Sequence, residues 1–170
     1  LMAGTPRKME KIMIEQTEEA CASMNGLVKK LAGKQIQKMV RLFDGLYKLS
    51  DEEAMKKKVG GGTTLYYFKE MGEHATADYL AKNQKPMLIM QGAKDFQVKV
   101  DKDFFMYQEL LKNQTNVTFK LYENLNHAFV PSVYGSITKA KQEYNVEQHI
   151  GEEVIGDIAR WILEVCAEAQ

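Results

Sequence analysis

The sequence predicts an α/β fold: a partial parallel sheet of about three strands flanked by helices, with a helical insertion between the first strand and the second. Three observations predict it. Pro86-Met87-Leu88-Ile89-Met90-Gln91-Gly92 contains a continuous apolar run, the mark of a strand buried on both faces. After it come a helical pattern at 102–113, a second strand Val117–Tyr122 and a closing helix from about Gly151, an order that favours parallel strands with helices packed on the sheet. Residues 6–83, in contrast, carry the three-and-four spacing of helices.

Leu1-Met2-Ala3-Gly4 reads as the end of a buried strand. Thr5 is a candidate cap and Pro6 suits a first helical position. Met9, Ile12, Met13, Ala20, Met24, Leu27, Val28 and Leu31 follow one helix face, Gly33 is a plausible break, and Ile36, Met39, Val40, Phe43, Leu46 and Tyr47 resume the pattern. Ser50-Asp51-Glu52-Glu53 is a capping-box helix start. Gly60-Gly61-Gly62 ends that helix and supplies a flexible joint. Short helices are expected at 64–72, with Leu65, Tyr66, Tyr67 and Phe68 as packed core, and at 75–83. Phe104, Phe105, Tyr107, Leu110 and Leu111 give the helix between the strands its apolar face; Val154, Ile155, Ile158, Ile162 and Val165 do so for the last helix, flanked by Trp161 and Leu163. The expected organisation is therefore residues 1–7 as a core strand end, 8–83 as a helical insertion and 84–170 as the rest of the core.

Composition excludes several classes. With 45% hydrophobic and 27% charged residues the chain is globular rather than disordered. The 23 basic and 23 acidic side chains cancel, so no net basic field favours nucleic acid or an anionic membrane. No apolar run approaches the roughly 20 residues that span a bilayer, and no signal peptide is visible. Cys21 and Cys166, far apart and inside helical patterns, form neither a disulfide framework nor a metal spacing. A reducing, cytoplasmic setting is the expectation.

The chemistry sits at the strand ends. Asp95 follows the first complete strand and His127 the second, and parallel strands bring their C-terminal ends to one sheet edge, where ligands collect. An acid and a His so placed are two thirds of a hydrolytic triad. His127 would be the base that activates a hydroxyl and then the acid that protonates the leaving group. Asp95 would hold its tautomer. His74 and His149 read as solvated, and Lys56-Lys57-Lys58 as a solvated helix face. No Gly-x-Ser-x-Gly turn occurs, and Ser23, Ser50, Ser132 and Ser136 all lack a strand–turn–helix context.

On Lys85-Pro86 before the buried strand, Gly92-x-x-Asp95-x-x-Val98 after it, Asn124-x-x-His127 after the next, and the closing helix with Ile158, Trp161 and Ile162, the chain resembles the C-terminal half of the α/β-hydrolase superfamily. Met2-Ala3-Gly4-Thr5-Pro6-Arg7 also resembles the strand end before that family's acid-bearing strand. The resemblance implies a helical cap at 8–83, a nucleophile half that is absent, and a parent serine hydrolase acting on carboxylic esters or related acyl compounds. Asp95 and His127 would be its catalytic acid and base. It implies no metal and no organic cofactor. Esterase, lipase, dienelactone-hydrolase-like and serine-aminopeptidase-like members stay open, as does a non-catalytic interaction module that kept the fold. The expected partners are a small acyl substrate in the parent and the missing N-terminal half. The 170-residue chain alone is expected to lack activity and to self-associate through its uncovered sheet edge.

Overall fold

A computed structural model describes residues 1–168 and divides the chain into two compact units, residues 7–78 and residues 1–6 with the chain from Tyr79 onward. Among the described residues no helix is long and apolar enough to cross a membrane.

The first unit is helical. α1 (Met9–Ala22) and α2 (Gly26–Asp44) are separated at Ser23–Asn25, not at Gly33, which lies inside α2. An interior Gly costs only about 1 kcal/mol in a helix, whereas Asn25-Gly26 supplies a turn, with Gly26 at φ +58°. The buried positions of α2 are Met39 and Phe43, one turn apart, while Leu27, Val28 and Leu31 are exposed rather than part of the expected face. A single turn, Leu46–Lys48, leads to α3 (Asp51–Lys56), where Ser50 and Glu53 form the expected capping box. The glycines do not simply end that helix. They form the tip of a small antiparallel hairpin, β1 (Lys58–Val59) and β2 (Thr63–Thr64), with Gly61 at φ +68° and Gly62 at φ +89°. No side chain other than glycine adopts these angles without strain. α4 (Leu65–Glu73) follows, then α5 (Thr76–Leu80), which runs into the second unit.

Met39, Phe43, Leu46, Ala54, Val59, Leu65 and Phe68 form the core of this unit. Phe68 is core as expected; Tyr66 only packs against the cluster, and Tyr67 is exposed. Tyr47 lies beside the core: its hydroxyl donates to Glu10 at 2.6 Å, and the Lys8 ammonium sits 3.8 Å from its ring centroid. Burial and the Glu10 carboxylate push the Tyr47 hydroxyl's pKa well above its ordinary value.

In the second unit β3 (Met87–Gly92) is buried at every position and pairs in parallel with β4 (Val117–Tyr122), from Met87 opposite Val117 to Gly92 opposite Tyr122. On its other side the Leu1 carbonyl accepts from the Met90 amide and the Ala3 amide donates to the Met90 carbonyl, both at 2.9 Å, so Met2 bridges Met90 in parallel. β3 is thus central in the three-strand arrangement that its apolar run predicts. Side chains alternate across a strand. Leu88 and Met90 pack with Ala3, Tyr122, Leu125, Phe129 and Val154; Met87 and Ile89 pack with Leu80, Phe104, Tyr107 and Leu111.

The helix between the strands begins as one wide turn, Val100–Phe104, before α6 (Phe105–Leu110). Its inward positions are Phe104, Tyr107 and Leu111, and Phe105 and Leu110 face out. α7 (Ala140–Tyr144) is a short helix that sequence periodicity did not disclose. α8 (Glu152–Glu168) packs through Val154, Ile158 and Trp161, one stripe at four-and-three spacing. Ile155 and Ile162, assigned to that stripe from sequence, are exposed. Asp157 fixes the rotation: it accepts from the Tyr122 hydroxyl at 3.0 Å and lies 3.5 Å from the Lys120 ammonium, and with that flank of α8 held at β4 the 154–158–161 stripe faces the cluster of Ala3, Leu88, Met90 and Tyr122.

Gly72 on α4 is where the Tyr47 hydroxyl needs space, because a Cβ there would lie 1.9 Å from the Tyr47 oxygen. Gly72→Ala should therefore destabilise the helical unit by about 1–3 kcal/mol, the usual range for overpacking. Tyr47→Phe in the same chain should recover part of the loss. Denaturant titration of both variants checks this; an unchanged midpoint for Gly72→Ala would refute the close packing.

Candidate active site

β3 ends in Gly92, and the chain after it curls back over its own acid. The Asp95 side chain is fully buried and receives four hydrogen bonds. Its Oδ1 accepts from the amides of Gln97 at 2.8 Å and Val98 at 2.9 Å. Its Oδ2 accepts from the Gln91 side chain at 2.8 Å and from His127 Nδ1 at 2.8 Å. A buried carboxylate is costly unless its lone pairs are all engaged, and here they are. Since every contact to this carboxylate is a donor, Nδ1 of His127 carries the ring proton and Nε2 carries the free lone pair. The His127 side chain remains 35% exposed.

Backbone ties hold the two strand-end loops together. The Ala93 amide donates to the Tyr122 carbonyl at 2.8 Å, and the Lys94 amide to the Leu125 carbonyl at 2.9 Å. A Cβ on Gly92 would lie 2.3 Å from the Leu125 carbonyl oxygen and 2.6 Å from that of Asn126. Only glycine permits this backbone approach. Beyond His127 the loop turns sharply: Phe129 adopts φ +59°, its ring packs edge-on against Tyr122, and its carbonyl accepts from the Gly151 amide. Burial of the ring offsets the strain of a left-handed non-glycine residue.

Sequence reasoning named Asp95 and His127, and the structure brings them together. It did not find three buried polar residues around them. Gln91, 1% exposed, joins Asp95 to the Val98 carbonyl. Asn126, fully buried beside His127, accepts from the Ala128 amide at 2.9 Å. Glu143 on α7, also fully buried, accepts from Asn126 Nδ2 at 2.9 Å and from the Tyr134 amide at 2.6 Å. Burial alone would raise the pKa of the Glu143 carboxyl, but these hydrogen bonds outweigh it and hold that pKa below its ordinary value. Gln91 carried a signal in the sequence, as a polar side chain inside an apolar strand that must find a partner. Glu143 carried none, since its partners lie in a loop whose path no periodicity predicts.

His74 is exposed, 3.1 Å from Glu70, and His149 is exposed. Ser50 caps α3, Ser23 follows α1, and Ser132 and Ser136 lie in the segment between β4 and α7. Among the described residues no group of three or more His, Cys, Asp or Glu side chains is placed to hold a metal ion.

The Gly92 approach gives a direct test. Gly92→Ala must push the Leu125–Asn126 backbone away, at a cost of about 1–3 kcal/mol. It should also loosen the Asp95–His127 contact, read as faster solvent exchange of the His127 ring proton by NMR. Unchanged stability and unchanged exchange together would overturn the account.

The profile of the prolyl oligopeptidase family, a peptidase family of the α/β-hydrolase superfamily, matches residues 42–152. Esterase EstD of Thermotoga maritima is 29% identical over 119 residues, which cover 70% of this chain and 28% of that protein. The chain thus spans well under two thirds of the length of the curated relative it matches. No solved structure matches it. The matched segment takes in β3, β4, the Asp95 and His127 loops and most of the chain, and the chain belongs to the prolyl oligopeptidase family.

Proposed function

We propose that Asp95 and His127 are the acid and base of a Ser–Asp–His triad, in a serine hydrolase that acts on carboxylic esters. The observation that carries the reading is the 2.8 Å bond between His127 Nδ1 and a carboxylate with all its other contacts already made. That bond fixes the tautomer in which Nε2 can take a proton from an attacking hydroxyl. The imidazolium formed is stabilised by Asp95 and returns the proton to the leaving alcohol; water then releases the acyl group through the same base. The similarity to an esterase supports ester chemistry. The family's name favours a second reading, cleavage of a peptide bond by the same groups, with an amine as leaving group.

The nucleophile and the oxyanion donors of this triad belong to protein sequence outside these 170 residues. The reading therefore gives the chain by itself no turnover. In a longer protein that carries a Gly-x-Ser-x-Gly turn, short-chain aryl ester hydrolysis should fall by about 10⁴-fold or more in His127→Ala, and by about as much in Asp95→Asn. Comparing an aryl ester with a matched aryl amide separates the two readings. Turnover by the 170-residue chain that His127→Ala abolishes would reveal a nucleophile within it and overturn the assignment.

The same reading makes the chain prone to associate with itself. Leu1 and Met2 are about half exposed at the strand beside β3, next to Ile158, Trp161 and the exposed Ile162 of α8. An open strand edge beside apolar side chains is a template for pairing. Sedimentation across a concentration series should show mass rising with concentration, and Ile162→Lys should reduce it. A monomer at all concentrations would refute this proposal.

A further inference from the structure

The hydrolytic chemistry needs one buried carboxylate, yet the unit contains two more: Asp103, which accepts from the Thr5 hydroxyl and the Lys99 amide, and Glu143, which touches neither Asp95 nor His127 by any hydrogen bond described above. The donors to Glu143 all come from the segment that carries the base: the Asn126 side chain, the Val133 amide and the Tyr134 amide. Asn126 precedes His127, and its Oδ1 takes the amide of Ala128, so the Glu143–Asn126 pair brackets His127 on both sides. The next residue on α7 reaches the other loop. The Tyr144 hydroxyl accepts from Gln97 Nε2, and its ring lies 5.8 Å from that of Phe96. Phe96 and Gln97 directly follow Asp95. Neighbouring residues on a helix point in different directions, which lets one short helix hold two loops at once.

We propose that Glu143 and Tyr144 form a clasp that sets the register of the acid loop against the histidine loop, and so the length of the Asp95–His127 bond. Both are positioning residues: they act through Asn126 and through Phe96 with Gln97, and neither is assigned contact with substrate. The proposal rests on the reading of Asp95 and His127 as the working pair. It extends that reading to a segment, 140–144, that lies beyond both strand-end loops in sequence.

The readout is the ring proton on His127 Nδ1, followed by NMR in the intact 170-residue chain as its rate of exchange with solvent. Asp95→Asn identifies the signal. Leu111→Ala serves as the control, because it opens a cavity in the cluster on the opposite face of β3 and lowers stability without touching either loop. Glu143→Gln should speed exchange by about tenfold, the scale of one lost hydrogen bond to a charged group. Tyr144→Phe keeps the ring and removes only the hydroxyl, and should speed exchange by about threefold. Leu111→Ala should leave the rate unchanged. The clasp is overturned if folded Glu143→Gln and Tyr144→Phe both exchange at the wild-type rate, or if Leu111→Ala speeds exchange as much as they do. Should Glu143→Gln not fold, Tyr144→Phe, whose side chain is part exposed, decides alone. A wild-type signal that does not depend on Asp95 would instead overturn the pairing itself, and the clasp with it.

Discussion

The Asp95 carboxylate is the group on which the rest of the second unit depends. It is buried at the end of a central strand, where an unsatisfied charge would cost several kcal/mol. Four donors answer that cost, and together they fix three pieces of structure. The Gln97 and Val98 amides force the chain to curl after β3. Gln91 ties the strand to the curl. His127 ties the curl to the loop after β4. Removal of any one donor would leave the others to hold a charge that water cannot reach.

That arrangement requires two strands that end level with each other. The parallel register of β3 and β4 brings Gly92 opposite Tyr122, so the two loops leave the sheet at the same height. The loops then approach more closely than side chains allow, and a glycine at 92 is the physical consequence. The Asp–His pair is therefore a property of strand register and backbone packing, since the two side chains lie 32 residues apart in sequence.

Much of this was legible in the sequence because it follows from strong, local signals. The apolar run Met87–Met90 between Pro86 and Gly92 describes a central strand, and Asp95 and His127 fall on successive strand ends. The α2 break was misplaced at Gly33 because a glycine in a long helix resembles a stop, while the Asn25-Gly26 turn that does the work is weaker in periodicity terms. The hairpin around Gly60–Gly62 was hidden because two-residue strands carry no period. Of the three isoleucines that the sequence reading puts on one stripe of α8, Ile158 packs inward while Ile155 and Ile162 are exposed. Hydrophobicity does not choose between neighbouring faces of an apolar helix; here the Asp157–Tyr122 bond is what turns Val154, Ile158 and Trp161 inward. Asn126 and Glu143, the polar residues behind His127, leave no sequence signal for a related reason. They meet across a loop, and such a contact leaves no trace in spacing.

Two of the unit's three buried carboxylates, Asp95 and Glu143, divide the work between them, while Asp103 accepts from the Thr5 hydroxyl and the Lys99 amide. Asp95 orients the imidazole directly, so its geometry must be fixed to a few tenths of an ångström. A loop as irregular as 124–134, with Phe129 in a left-handed conformation, cannot supply that precision through apolar packing alone, because dispersion contacts are weakly directional. Hydrogen bonds to a charged acceptor are directional and stronger than neutral ones. Glu143, held in its ionised form by those same donors, brings that directionality to the outer side of the histidine loop, while Asp95 brings it to the inner side. His127 is thus held between two networks, each anchored by an acid that is costly to bury and costly to disturb.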